Sequence, residues 1–427
     1  MANNPPRLYG GGLCREDEPM DFKLLAIIIL CIVFVYELFV VYLQMRSSKN
    51  AIPANVADIY DAETYKKWCA YRREKCAVSF INHIVTFAVE IILISCDLYA
   101  AFAGLFPNTV MMQLFAVILL TTLAGIFEMP LEYYDTMKIE GKYGFNRTKP
   151  GTFFLDKIKS MLIMIGILTF IAWLLALLHT ALGDYMILAF AGVLIVLIIL
   201  IVFLFPLFSR IFNKFTPLEE GELRTKLTDL LEKNGYHVRA IEVMDGSRRS
   251  TKANAYFAGM GKTKSIVLYD TLLEKLTPDE ICAVFAHELG HGLHHDTLTG
   301  QIVSCIQMVI LAVLAWLTVR DPELFKQFGF TGVNYGFALV VITTVEFSLI
   351  SPLYDLAANA LSRSHEYRAD RCAAKEGYGS DLISGLKKLT KTDFGDVSPS
   401  PALIAIKYSH PSLSQRIDAI EAFEKKN

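Results

Sequence analysis

Seven stretches of the chain are almost unbroken apolar runs, at 24–43, 78–102, 110–127, 161–178, 185–205, 302–319 and 336–353. A hydrocarbon layer ~30 Å thick takes about 20 residues of α-helix to cross. In lipid the backbone amides must be satisfied within their own segment, so these runs predict seven transmembrane helices. Residues 207–300 and 356–427 are long and polar enough to fold outside the bilayer. The sixth and seventh spans separate them. An even number of crossings returns the chain to the same side, so the two segments can build one domain. The pattern predicts a predominantly α, polytopic membrane protein. It has a tail at 1–23, spans one to five with their loops at 24–206, an extramembrane segment at 207–300, spans six and seven at 301–355 and a second extramembrane segment at 356–427. The first run reads as an anchor and not a cleaved signal. The polar Glu16, Asp17, Glu18 and Asp21 precede it, and it lacks a small-residue cleavage site.

Lysine and arginine collect in alternate loops, which marks the cytosolic side. The loop after the first span carries Arg46, Lys49, Lys66, Lys67, Arg72, Arg73 and Lys75, and the loop after the third carries Lys138, Lys142, Arg147, Lys149 and Lys157. The turns at 103–108 and 179–184 carry none. The alternation predicts a non-cytosolic N-terminus and a cytosolic C-terminus. It also puts the sequon Asn146-Arg147-Thr148 on the cytosolic side, where it stays unmodified. Glu37, Glu90, Asp97 and Glu346 fall inside apolar runs. Ionisable groups are costly in lipid, so they face a wet interior or a partner. Asp97 is equally readable as a residue at a helix end. The chain is 53% hydrophobic with a net charge of -2, which gives nucleic acid nothing to bind. Its eight cysteines form no CxxC pair and read as packing thiols. Cys69 and Cys76 are close in sequence, but a cytosolic loop disfavours a disulfide there.

His287-Glu288-Leu289-Gly290-His291 is an HExxH motif. Upstream, Thr277-Pro278-Asp279-Glu280 reads as a capping box with proline at the first helical position, which places the motif on a helix. Histidines four residues apart share one helix face. Two imidazoles so placed can hold one zinc, and Glu288 beside them can reach a water on it. A catalytic zinc takes three protein ligands and keeps one position open. His294 and His295 are poorly placed to supply the third. In the second extramembrane segment, 359–370 reads as a helix. There Glu366 could ligate while Asp370, one turn on, fixes the tautomer of a liganding histidine. An acidic pair at that spacing is also an ordinary exposed face. His365 is a competing donor that points about 100° away from Glu366.

Taken with HExxH, the run Asn359-x-x-x-Arg363-x-x-Glu366-x-x-Ala369-Asp370 resembles the type I integral-membrane CAAX prenyl proteases. The resemblance covers most of the chain. It extends to Pro130, Tyr134-Asp135-Thr136, Gly144-Phe145-Asn146, Asn254-Ala255-Tyr256-Phe257, the run 266–273 and Tyr408-Ser409-His410-Pro411-Ser412. It implies seven spans enclosing an aqueous chamber and a cytosol-facing, zincin-like α+β metalloprotease domain split by the last two spans. One Zn2+ would be held by His287, His291 and Glu366, with Glu288 as general base and Asp370 as the partner of His287. His410 and Arg416 would sit at the site, His410 steadying the oxyanion. Asn254 and Ala255 would lie on an edge strand that pairs with substrate. The implied substrates are prenylated CAAX proteins or peptides, cut just after the modified cysteine, with the lipid bilayer as medium and no organic cofactor. The implied location is the endoplasmic reticulum, extending to the inner nuclear membrane.

On the residues alone, 265–269 is a short apolar strand and 254–257 could be its neighbour, with Asn254 otherwise a turn residue. His410 would otherwise cap the final helix. Two features depart from the family pattern: a short loop between the sixth and seventh spans, and His294-His295-Asp296 after the motif. Both bear on substrate preference and leave the ligand set alone. Two other readings exist. A quality-control membrane metalloprotease shares the motif but has fewer spans. The other is a seven-span receptor or transporter with incidental zinc; a transporter would show repeats or broken helices, none clearly visible, and the capped HExxH helix outside the bilayer argues for chemistry.

Overall fold

The computed structural model describes residues 20–258 and 265–426. Residues 1–19 of the expected tail, with Glu16, Asp17 and Glu18, lie outside the described residues. The apolar runs are helical. Among the described residues six helical stretches are long and apolar enough to cross a membrane: Phe22–Lys49, Ala62–Ser95, Val110–Phe127, Pro150–Leu204, Asp296–Val319 and Tyr335–Lys375. The fourth of these holds two of the expected runs. Gly183, at φ +54°, divides it into the helices Pro150–Leu182 and Met186–Phe212, which pack on each other. A left-handed φ is open to glycine at no steric cost, so the break falls there.

The second run ends earlier than expected. Helix Ala62–Ser95 stops, Asp97 adopts φ 54°, and a short helix Leu98–Ala103 follows. Asp97 thus sits at a helix end, where it accepts from Lys23 Nζ at 2.6 Å. Glu37 lies 3.4 Å from Lys407, and Glu346 accepts from Thr318 Oγ1 at 2.9 Å. These acids have partners, as their position in apolar runs requires. Asn146 is also engaged: its Nδ2 donates to Thr148 O at 3.3 Å, and its backbone bridges to Ser250.

Outside these helices the described residues form one four-stranded sheet. Its strands are β1 (Phe215–Pro217), β2 (Ala240–Met244), β3 (Ala255–Ala258) and β4 (Ser265–Tyr269), in the order β1-β2-β4-β3. β2 and β4 are parallel, while β3 runs antiparallel to β4 with Ala255 opposite Leu268. β3 is therefore an edge strand. The HExxH helix, Pro278–Leu293, lies against the sheet at the centre of this part of the molecule. Its Ile281, Phe285, Ala286 and Leu289 are buried with Ile266 and Leu268 of β4, Leu227, Ala373, Leu382 and Ile420. Both extramembrane segments contribute to that one core. The helix Phe347–Lys375, here called the glutamate helix, continues from the last membrane stretch through position 356 without a break and delivers Glu366.

Candidate metal centre

The expected capping box is present. Thr277 Oγ1 accepts from Glu280 N at 3.4 Å, and Glu280 Oε2 accepts from Thr277 N at 2.9 Å. Glu280 is itself buried and accepts from Ser384 at 2.6 Å and Lys388 at 2.8 Å, which ties the start of the motif helix to helix Gly379–Thr392. With its apolar face on the sheet, the opposite face presents His287 and His291. Gly290 between them lets the glutamate helix approach closely. A Cβ there would sit 2.9 Å from Ala369 Cα and 3.0 Å from Cys372 Cβ. That approach brings Glu366 to the histidines.

Three donor groups converge. The Nε2 atoms of His287 and His291 are 3.2 Å apart. Glu366 Oε1 lies 3.3 Å from His291 Nε2, and its Oε2 lies 3.5 Å from His287 Nε2. An ion bound tetrahedrally through bonds of about 2.0–2.2 Å sets its ligand atoms roughly 3.3–3.6 Å apart, which is the spacing found. Among the described residues, these three form the cluster able to hold a metal.

The far side of each ring is fixed by a carboxylate. His287 Nδ1 is 2.9 Å from Asp370 Oδ1, and His291 Nδ1 is 2.9 Å from Asp296 Oδ2. Ionised carboxylates only accept, so each Nδ1 donates, and in the neutral ring each Nε2 points its lone pair inward. Two inward lone pairs facing a buried carboxylate need a cation between them. Glu366 Oε2 points the same way: it is buried and accepts no hydrogen bond of sound geometry, although His410 Nδ1 is 2.9 Å from it.

The electrostatics agree. Burial disfavours charge on His287, yet Asp370 and Glu366 outweigh it and raise its pKa to about 9. His291 is also raised, burial again being overcome by Glu366 and Asp296. Burial opposes ionisation of Glu366, but the rings of His287, His291 and His410 hold its carboxyl far below the usual range. The pocket stabilises positive charge at its centre, so the donor set fits a metal ion. Glu288 stands outside the ligand cluster, beside His291 on the wall of a cavity of about 490 Å³. Burial pushes its carboxyl up.

Each carboxylate behind a histidine is held by an arginine. Arg416, buried on helix Leu413–Glu424, grips Asp370 through Nε at 2.9 Å and Nη2 at 2.6 Å. Arg368 donates to Asp296 Oδ1. The two chains His287–Asp370–Arg416 and His291–Asp296–Arg368 mirror each other. The first is the pairing expected for Asp370. The second corrects the expectation that His294-His295-Asp296 leaves the ligand set alone: Asp296 touches His291 directly. The local cause is His295, whose φ of 55° ends the motif helix and folds the next helix back. His294 donates through Nδ1 to Gly290 O at 2.8 Å, closing that helix end, and lies outside the metal cluster.

The remaining site candidates are near, in different ways. Ser412 and Gln415 form the cap of the last helix. His410 is thereby released from capping, with 62% of its side chain exposed and Nδ1 turned to Glu366. Ala255 begins the edge strand β3, which packs on the motif helix. Exposed Asn254 precedes it, with Oδ1 accepting from Ala255 N at 2.9 Å and its carbonyl accepting from Tyr269 N at 3.0 Å.

Two family models match the chain, one described as "CAAX prenyl protease N-terminal, five membrane helices" over residues 41–214 and one as "Peptidase family M48" over residues 217–424. CAAX prenyl protease 1 of Saccharomyces cerevisiae is 30% identical, the match covering 92% of this chain and 94% of that protein. A CAAX prenyl protease 1 homolog of Arabidopsis thaliana is also 30% identical, over 92% of this chain and 96% of its own. The crystal structure of S. mikatae Ste24p superposes with a TM-score of 0.88 at 28% identity, covering 95% of this chain and 100% of that one.

Proposed function

The chain belongs to the CAAX prenyl protease branch of peptidase family M48, multi-pass membrane metalloendopeptidases, and on that basis we propose that it removes the C-terminal tripeptide from prenylated CAAX proteins with a zinc ion held by His287, His291 and Glu366. The observation that carries this reading is the convergence of three donors at tetrahedral spacing with Glu288 beside them.

Held in that position, a zinc ion would supply Lewis acidity toward the scissile carbonyl and the attacking water. Glu288 takes the proton from the water and hands it to the leaving amine. Its raised affinity for protons suits a group that must accept one and release it. His410 donates to the oxyanion that develops on the carbonyl. Asp370 and Arg416 act through His287, fixing its ring and the direction of its lone pair. The free edge of β3, at Asn254 and Ala255, takes the substrate backbone as an added strand.

Seven crossings, with the segments 207–300 and 356–427 joined as one cytosolic protease domain, accord with the alternation of basic loops. The location is the endoplasmic reticulum and the inner nuclear membrane, with a water-filled chamber between the spans. The test is incubation of purified protein with a farnesylated CAAX peptide and its unprenylated twin. Release of the intact tripeptide from the farnesylated peptide, seen by mass spectrometry, is expected. Equal cutting of unprenylated, unfolded chains would replace this reading with a quality-control protease.

Asp296→Asn keeps the size of the side chain but loses the charge that orients His291. Metal affinity is expected to fall ~10–100-fold, the usual cost of losing such a partner. Competition with a chromogenic chelator measures it, and an unchanged affinity would remove Asp296 from the centre.

A further inference from the structure

The cavity of about 490 Å³ that opens at Glu288 and His291 continues between two helices. One wall is a single stripe of helix Asp296–Val319, formed by Gly300, Val303 and Ser304. The other is a stripe of the glutamate helix, formed by Tyr354, Ala358 and Leu361. Residues three or four apart share one helical face, so each stripe lines the channel along its length. At 1.5 Å per residue the walls run roughly 12 Å from Asp296 to Ser304 and roughly 16 Å from His365 to Tyr354. The end at the metal centre is polar, and beyond it Gly300, Val303, Ala358 and Leu361 make the lining mainly apolar, with the hydroxyls of Ser304 and Tyr354 at the far end. Both helices lead into membrane-crossing stretches. At the far end Tyr354 Oη donates to Val303 O at 3.2 Å, so its side chain spans the gap between the two walls.

We propose that this channel holds the isoprenyl chain of the cysteine at which cleavage occurs, and that Tyr354 sets the length it accepts. The proposal rests on the reading of the active site given above. Volume favours an isoprenoid over an aliphatic side chain, since the channel lies within the ~300–1,000 Å³ of pockets that enclose small ligands. A single leucine or isoleucine would fill only its mouth. Direction favours it as well, because the channel leads from the catalytic groups toward the bilayer, where a prenyl chain resides. The gradient from polar mouth to apolar interior matches a lipid attached to a peptide.

Gly300 supplies the sharpest probe. No atom lies within 4 Å of a Cβ built there, so a larger side chain projects into the channel without displacing the fold. Purified protein would be assayed on farnesylated, geranylgeranylated and unprenylated versions of one CAAX peptide. Gly300→Leu is expected to lower the preference for the farnesylated over the unprenylated peptide about tenfold, through KM, the equivalent of losing burial of about two methylene groups. Tyr354→Ala is expected to raise kcat/KM for the geranylgeranylated peptide relative to the farnesylated one by about as much. Tyr354→Phe keeps the ring and should keep the ratio. An equal loss on prenylated and unprenylated peptides overturns the proposal. So does a change of preference at the residue after the scissile bond with the prenyl ratios unmoved, which would place that side chain in the channel. Failure of the unaltered protein to cut any prenylated peptide is a distinct result, since it needs no variant, and it sinks the active-site reading together with this one.

Discussion

Glu288→Gln leaves the metal bound and lowers kcat for a farnesylated peptide ~10²–10⁴-fold. Glutamine fills the same space and can still hydrogen-bond a water, but it cannot take that water's proton. Glu288 is outside the ligand cluster, so metal content should stay at its unaltered value. The loss corresponds to about 3–5 kcal/mol of transition-state stabilisation. The measurement pairs single-turnover kinetics with metal analysis of the same preparation. A variant that kept its metal and remained within about tenfold of full activity would end the general-base assignment, because proton transfer normally contributes more than that.

Glu366→Ala should abolish both stoichiometric metal and cleavage while the fold survives. Two imidazoles alone leave a catalytic site one protein ligand short. Arg416, which lies 3.5 Å from Glu366, keeps its two-point grip on Asp370, so no buried charge is stranded. Asp370→Ala is the contrasting case. It removes the two-point partner of the buried Arg416, leaving it only the looser contact with Glu366 at 3.5 Å, and frees the ring of His287. Removing one partner of a buried pair costs on the order of 3–5 kcal/mol. Thermal midpoints, taken beside chelator-treated unaltered protein, separate the two: Glu366→Ala should match that reference and Asp370→Ala should fall well below it. Retention of stoichiometric metal by Glu366→Ala would disprove its role as third ligand.

Much of the centre could be read from local spacing. The capping box, the two histidines one turn apart and the helix carrying Glu366 and Asp370 are all short-range patterns, and short-range patterns survive in sequence. Which face of the second helix meets the motif was not local. It depends on Gly290 letting Ala369 come within van der Waals range, a contact between helices far apart in the chain. The role of Asp296 is hidden in the sequence for a related reason. Its approach to His291 follows from a left-handed residue at His295, and histidine is not a residue that advertises such a turn. Arg368 is legible only once Asp296 is. The apolar runs are helical, as hydropathy predicts, but the break at Gly183 and the early stop at Asp97 are backbone events that average apolarity does not register. The order of the sheet, with β4 between β2 and the edge strand, is likewise a matter of pairing and not of pattern.

The candidate metal centre is divided along the chain: His287 and His291 precede the last two membrane-length stretches, Glu366 lies near the C-terminal end of the second, and His410 and Arg416 follow both. During synthesis a ribosome therefore releases half a centre first. That half has two histidines and no carboxylate to complete it, and Asp370 and Arg416 are not yet made to hold the first ring. On the proposed reading, hydrolytic power would arrive only when both hydrophobic helices had been inserted in the correct sense and the final helix had docked. A copy that inserted one of them wrongly would, on the proposed topology, strand its ligands on opposite faces of the membrane and stay inert. Built in this way, a protease would be harmless to other nascent membrane proteins until its own biogenesis was finished.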